Sequence, residues 1–373
     1  MHVTLTETEQ AVVQAARAVI EGTGLPAGDL PGTPPAEWAE PLWKALAQAG
    51  LLGLAAPASL GGDGLGVPEV LALLTELGRA AAVGPALATL ALGVLPTSRW
   101  ATPAQQRALL VPVLEAGAVL TAAVHEPAHP LGVTGRPVRP VTTVTAALVV
   151  RGVKVAVPYV ERAHRVLVPV TSPDGVPAVA IVDPGAPGVR AVPTPTSAGW
   201  PEHTLYLDGV VADGLLGDRA GTAAGQVVAD LCRLALAGTC AVADGLVRGA
   251  LELTAAHVRS RQQFGRPLAT FQAVALQIAD VYLAARTLHL ASRSAADGLG
   301  DPGGPGTGRD LAVAAYWLAR YGPPALRTCH QLHGGLGLDV TYPLHRYSAH
   351  LRDLVRATGG TEHCLDRLAE LEG

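Results

Sequence analysis

Apolar side chains recur every three to four residues through the first part of the chain, which is the period of an amphipathic helix. Thr6 stands three residues before Glu9 and forms a capping-box pair ahead of the first such stretch. Two further stretches place apolar residues on one face: Trp38, Leu42, Leu46 and Ala49 in a helix that stops at Gly50, and Val70, Leu74 and Leu77 in the next. The pattern predicts an N-terminal helical domain over residues 1–120.

The pattern then changes to short runs rich in Val, Leu and Thr that are separated by turn residues such as Pro173-Asp174-Gly175. The predicted strands are Val144–Val150, Val166–Val170, Ala178–Val182 and Thr204–Leu207. These runs predict a small β-barrel or β-sandwich domain over residues 121–218.

Helical periodicity returns in residues 219–373. It predicts helices over about 222–261, 267–296, 309–332 and 343–372, with a Gly- and Pro-rich connection at 298–308. The fold class is therefore mainly α with a middle β-domain, ending in a C-terminal four-helix bundle.

Composition excludes several classes of function. The net charge of −4 provides no basic surface for nucleic acid. No run reaches the roughly 18 apolar residues of a membrane span, and the first residues lack the basic and apolar regions of a signal peptide, so we expect a cytoplasmic protein. The four cysteines form no CxxC pair, which predicts reduced thiols and no metal site.

Several motifs lie in one order along the chain. They are Trp43 with Gly61-Gly62 and Glu76-Leu77-Gly78, then Arg261-Gln262-Gln263-Phe264-Gly265 with Phe271-Gln272 and Ala279-Asp280, and finally Gln331-Leu332-His333-Gly334-Gly335-Leu336-Gly337 with Tyr342-Pro343. Together they resemble the acyl-CoA dehydrogenase family, whose members hold FAD across a subunit interface. The resemblance covers nearly the whole chain.

The resemblance implies a set of flavin-binding positions. An arginine offers a two-pronged donor to phosphate oxygens, and glycines let backbone N–H groups approach the same anion. The matching positions are Arg261, Phe264, Gln272, Gln331, Gly334 and Gly335.

The chain departs from the family at the catalytic base. The family's glutamate position is Gly359 here, and Cys232 stands at the alternative position on an earlier helix. Three other residues are candidates for acid–base work: Glu362, His125 and His129. The family's flavin-facing motifs are replaced by His125–Gly132 and by Lys154–Pro158.

Three functions follow from this resemblance. The first is a base-free subunit that helps the α,β-desaturation of a lipid or steroid-type acyl-CoA together with a glutamate-bearing partner. The second is a tailoring enzyme of natural-product biosynthesis with altered or flavin-independent chemistry, acting on a carrier-bound acyl group. The third is a non-catalytic binding scaffold. Each implies a homo- or hetero-oligomer of chains with this fold.

Overall fold

A computed structural model describes residues 4–23, 36–82, 84–127, 140–217, 224–300 and 307–372. The N-terminal part is helical. Its helices are α1 (Glu7–Thr23), α2 (Ala36–Gln48), α3 (Val67–Arg79), α4 (Leu95–Trp100) and α5 (Pro103–Ala116), and a π-helical segment, Leu87–Val94, leads into α4. The predicted capping box is present, because Glu9 N–H donates to Thr6 Oγ1 and Thr6 N–H to Glu9 Oε2. Leu42 and Leu46 are buried, but Ala49 is exposed because α2 ends one residue before it; the side chain of Trp38 lies outside those described.

The middle part is one curled eight-stranded sheet. Its strands are β1 (Val119–Ala122), β2 (Thr143–Val144), β3 (Val149–Pro158), β4 (Ala163–Thr171), β5 (Pro177–Val182), β6 (Val189–Pro193), β7 (Glu202–Val211) and β8 (Gly214–Leu215). The order is β6-β7-β3-β2-β4-β5-β8, with β1 paired in parallel to β4.

One predicted strand, Val144–Val150, was wrong. Leu148 has a φ of 60°, and its N–H donates to Thr145 O across a turn. The turn ends β2 at Val144 and returns the chain antiparallel as β3. The Val-rich composition of this run therefore conceals a hairpin.

The C-terminal part is a helical bundle with α6 (Ala224–Ser260), α7 (Gln272–Gly298), α8 (Thr307–His333), α9 (Leu344–Ala357) and α10 (Gly360–Glu372), plus a small hairpin of β9 (Gln262–Gln263) and β10 (Arg266–Pro267). The single helix predicted over 343–372 is in fact two. Gly359 and Gly360 have φ values of 85° and 81°, a conformation that glycine adopts freely and that ends α9.

Helices α3 and α6 pack with their backbones in close approach at three glycines. A Cβ on Gly78 would lie 2.2 Å from Val242 O, and one on Gly245 would lie 2.0 Å from Thr75 O. Gly249 is as tightly placed against Arg79 O, at 2.0 Å. This seam joins the N-terminal helices to the bundle.

We expect Gly245→Ala to destabilise the fold by about 3 kcal/mol or more, because the added methyl meets backbone that cannot rotate away. Gly225→Ala in the same helix is the matched control, since a Cβ there meets nothing within 4 Å, and it should raise stability by roughly 0.5–1 kcal/mol. Chemical denaturation of both variants measures the difference. Equal stabilities would contradict this account of the seam.

Helix α6 is long and apolar enough to cross a membrane. Of its most apolar window, however, 83% is buried inside the protein. Such burial is typical of the core helix of a globular fold.

Candidate functional site

A small cavity lies where the N-terminal helices, the sheet and the bundle meet. Its volume is about 70 Å³. The lining residues are mostly apolar: Gly84, Leu87, Ala88, Leu92, Val124, Ala156, Pro158, Tyr159, Trp200, Ala235, Leu354 and Ala357, with His125, Glu202, Thr239, Asp353 and Arg356 as the polar members. Helix α6 faces the cavity with Ala235 and Thr239, and Cys232, about one turn earlier, does not line it.

The loop between β6 and β7 closes the cavity against α9. Asp353 is buried, and its two carboxylate oxygens accept the N–H groups of Ser197 at 2.9 Å and Ala198 at 2.8 Å. Trp200 then lies with its ring centroid 5.2 Å from that of His350. The loop is thus tied to α9 by hydrogen bonds and carries an indole over the cavity.

Glu202 is a buried carboxylate of the cavity wall whose hydrogen bonding is incomplete among the described residues. It is 6% exposed, and its Oε2 accepts a hydrogen bond of 2.6 Å from Arg356 Nη2. Its Oε1 is buried without a hydrogen-bond partner among the described residues. One oxygen of a buried carboxylate is therefore unpaired beside the cavity.

A buried ion pair lies behind the cavity, in the sheet. Lys154 is fully buried, and its Nζ lies 2.7 Å from Glu126 Oε1. Burial would raise the pKa of Glu126, but the Lys154 charge, together with hydrogen bonds from Lys154, Thr142 and Val141, outweighs it and holds that pKa at about 2. Lys154 therefore has a structural role, because it is one of four donors that hydrogen-bond the Glu126 carboxylate.

Cys232 and Arg367 complete this buried polar group. Burial raises the pKa of the Cys232 thiol to about 11, against the opposing charges of Lys154 and Arg367. A thiol that stays protonated at neutral pH is a poor proton acceptor. Arg367 is 3% exposed, and neither of its Nη atoms has a hydrogen-bond partner in the part of the chain that the structure describes.

Among the described residues, His125 is the one acid–base candidate from the sequence that lines the cavity. His125 lines the cavity and pairs with Val155 in an isolated β-bridge, whereas His129 lies outside the described residues. Gly359 sits in the turn after α9, and Glu362 is exposed in the first turn of α10, away from the cavity lining. Burial, with a smaller effect of Arg356, lowers the pKa of His125 to about 4, so this imidazole is neutral at physiological pH.

The buried imidazoles predict a loss of stability in mild acid. Burial lowers the pKa of His125 and of His350 to about 4, while an unfolded histidine titrates near 6.5. As the pH falls from about 6.5 to 4, the unfolded chain gains protons that the folded chain cannot, so the free energy of unfolding falls, by roughly 3 kcal/mol for each ring. Thermal unfolding at pH 7.5 and pH 5 measures this effect, and His350→Phe should reduce it. An unfolding temperature that stays constant over that range would contradict the assignment.

A second candidate region lies at the far end of the bundle, where α6 ends in a hairpin. Phe264 and Gly265 have φ values of 53° and 77°, as a two-residue type I′ turn requires. The turn projects Phe264 into solvent at 90% exposure. Arg261 precedes the hairpin and is exposed, and its carbonyl accepts the N–H of Leu268 at 2.9 Å.

The structure brings all six flavin positions predicted from the resemblance to this one end. Helix α8 ends beside α6, since the ring of His333 stacks on that of His257 with centroids 4.4 Å apart. Gln331, Gly334 and Gly335 surround His333 and are exposed, and Gln272 begins α7 directly after the hairpin segment. A Cβ on Gly334 or Gly335 would meet no described atom within 4 Å, so the backbone there is open to a ligand.

The two regions differ in how well they suit FAD. The open bundle end offers a guanidinium, a glycine pair and an exposed aromatic ring, which fit the adenosine diphosphate half. The cavity, at about 70 Å³, is smaller than a ligand pocket of about 300 Å³ or more, and Trp200 and the loop before it form its wall against α9.

Sequence reasoning missed most of the cavity wall. Trp200, Glu202, Asp353 and Arg356 come from segments about 150 residues apart. Neither segment carries a motif, although a tryptophan in a Gly- and Pro-rich loop was one available signal. Within the described ranges, no group of three or more His, Cys, Asp or Glu is placed to hold a metal ion.

Comparison with known families covers both helical parts of the chain. Residues 6–116 match the family described as "Acyl-CoA dehydrogenase, N-terminal domain", and residues 228–370 match "Acyl-CoA dehydrogenase, C-terminal domain". The two matches flank the sheet.

Individual proteins extend the similarity through the middle part. "Acyl-CoA dehydrogenase FadE28" of Mycobacterium tuberculosis is 47% identical over 328 residues, covering 87% of this chain and 91% of that protein. A chain of the "ChsE4-ChsE5 complex from Mycobacterium tuberculosis" superposes with a TM-score of 0.85 at 29% identity, covering 99% and 98% of the two chains. A chain from a variant of the "Tcur3481-Tcur3483 steroid ACAD" superposes with a TM-score of 0.84 at 33% identity, covering 99% and 98%.

Proposed function

The chain belongs to the acyl-CoA dehydrogenase family, and from this premise we propose that it is the base-free subunit of a heteromeric, cytoplasmic acyl-CoA dehydrogenase. A second chain of the same fold supplies the glutamate that removes the α-proton of the acyl thioester. The observation that carries this proposal is the small, mostly apolar cavity. Its α6 wall presents Ala235 and Thr239, and Gly359 stands where the resemblance places the base.

Each acid that lines the cavity accepts a hydrogen bond from a neighbouring group through at least one oxygen. Asp353 uses both oxygens to hold the loop before β7, and Glu202 is paired to Arg356. A carboxylate held in this way orients its partners rather than moving a proton. These contacts support a structural role for the cavity of this chain, with the chemistry on the partner.

The bundle end of this chain would complete the partner's flavin site. FAD supplies the hydride acceptor of the desaturation when it is bound. Arg261 would offer N–H donors to its diphosphate, the Gly334-Gly335 backbone would be open to the same group, and Phe264 would be available to the partner chain. Arg261, Phe264 and Gln331 are all exposed, so their side chains are accessible to a ligand and to a partner chain.

The substrate class follows from the relatives. One similar structure is named a steroid ACAD, and another is a complex of two named chains. We therefore propose a lipid or steroid-type acyl-CoA as the substrate and a heteromer as the working state.

The test is dehydrogenation of a steroid-type acyl-CoA with an artificial electron acceptor. It compares this chain alone, the glutamate-bearing partner alone and the co-expressed pair. The proposal predicts turnover for the pair only, and loss of turnover when the partner's glutamate becomes glutamine. Full turnover by this chain alone would overturn it.

One observation favours a second function, that of a tailoring enzyme with altered chemistry. The Oε1 of Glu202, which has no hydrogen-bond partner among the described residues, and the neutral imidazole of His125 both adjoin the cavity. This chain alone would then transform a carrier-bound acyl substrate, and Glu202→Gln would abolish turnover. If Glu202→Gln leaves the paired complex fully active, the residue serves only to hold the loop.

A further inference from the structure

Two histidine rings join the two motifs at the bundle end. His257 lies one helical turn before Arg261, whose N–H donates to the His257 carbonyl at 2.8 Å. His333 ends α8 and directly precedes Gly334. The rings stack with centroids 4.4 Å apart and planes 19° from parallel. The stack therefore fixes the position of the arginine relative to the glycine pair.

The hydrogen bonds of His333 define its tautomer. Its Nδ1 lies 2.8 Å from the Cys329 carbonyl, which can only accept, so Nδ1 carries the proton. Its Nε2 then accepts the hydroxyl of Tyr342 at 3.1 Å. Both nitrogens are engaged, and the ring is a fixed, neutral surface for its neighbour.

His257 is different, because it is only partly buried and no described residue bonds its ring nitrogens. The charged and titratable groups around the pair are Arg261 directly after α6, His330 and His333 on α8, and Tyr342 before α9. Among these groups, Arg261 carries a permanent positive charge. An anion bound at Arg261 would offset that charge close to a ring whose nitrogens have no partner among the described residues.

We propose that His257 is a protonatable positioning residue of the diphosphate site: held on His333, it donates to the diphosphate of FAD and takes up a proton as the diphosphate binds. The inference rests on the proposed function, since it assigns a residue to the same flavin site. Its physical basis is linkage. Burial and the Arg261 charge lower the pKa of free His257, a diphosphate beside it raises that pKa, and affinity must then increase as the pH falls.

The experiment titrates FAD into the deflavinated complex of this chain with its glutamate-bearing partner at pH 6 and pH 8. Calorimetry in two buffers of different ionisation enthalpy counts the protons taken up. The wild-type complex should bind FAD about 3- to 10-fold more tightly at pH 6, with uptake of a fraction of a proton. His257→Phe preserves the stack and should lose both the pH dependence and the uptake, whereas His257→Ala should also weaken binding at pH 8.

The control is His289→Gln, which removes an imidazole on α7 about 25 Å along the helix from Gln272. It should behave as wild type. An unchanged pH profile and unchanged proton uptake in His257→Phe would overturn the inference, and His257→Gln repeats the test if the Phe variant fails to assemble. Arg261→Ala distinguishes an error in the proposed flavin site from an error in the role of His257. If Arg261→Ala binds FAD normally, the flavin site itself is wrong; if it does not, while His257→Phe matches wild type, only the histidine role is wrong.

Discussion

Replacing Arg261 with alanine should weaken FAD binding by the assembled complex about 10- to 100-fold while leaving this chain folded. A charge-assisted hydrogen bond to an anion contributes about 1.5–3 kcal/mol, which corresponds to that range of affinity. Stability should be unaffected because the side chain is exposed. The expected loss is therefore specific to the ligand.

Arg259→Ala is the matched control for this prediction. Arg259 is exposed two residues earlier, in the last turn of α6, so its removal changes the net charge equally. FAD titrations of both variants, at more than one salt concentration, separate a direct contact from a general effect of charge. Equal losses of FAD affinity in the two variants would mean that Arg261 acts only through its charge and makes no direct contact with FAD.

Breaking the Lys154–Glu126 pair should produce the largest loss of stability in the sheet. Lys154→Met leaves the Glu126 carboxylate charged and buried, which costs about 3–5 kcal/mol. The remaining donors, Thr142 and the N–H of Val141, cannot replace an ammonium. Thermal unfolding measures the loss, and the double variant Lys154→Met/Glu126→Leu should recover most of it because no buried charge is left unpaired.

The exposed pair of Arg151 and Asp208 is the control for this second prediction. Arg151 lies three residues before Lys154 on β3, and its side chain is 62% exposed. Arg151→Ala should cost under about 1 kcal/mol. If Lys154→Met costs no more than that, water or a rearranged loop compensates the charge, and the buried pair does not organise the sheet.

The sequence was sufficient to predict the architecture because its signals are local. Capping at Thr6, the long apolar pattern of α6 and the turn residues around β4 and β5 each depend on neighbours in the chain. The three-part order follows from them. Where the prediction was wrong, at Val144–Val150 and at the junction of α9 and α10, a positive φ interrupted a favourable composition. A positive φ cannot be predicted from composition unless a glycine occupies the position, as Gly359 and Gly360 do.

The candidate site was only partly predictable. Arg261 and Gly334 belong to motifs, and the stack of His257 on His333 explains how residues about 70 positions apart reach one end of the bundle. The cavity wall could not be inferred, since Trp200 and Glu202 meet α9 only through the tertiary fold. Cys232 is a further example. Motif spacing placed it at a position of the catalytic base, but in the structure Ala235, and not Cys232, lines the cavity.

We propose that this chain completes its partner's flavin site and holds no complete site of its own. The most direct measurement is the ratio of flavin absorbance (near 450 nm for isoalloxazine) to protein, for the chain alone and for the purified complex. We expect a colourless chain alone and one FAD for each pair of unlike chains. A yellow chain in isolation, or two FAD for each pair, would contradict it.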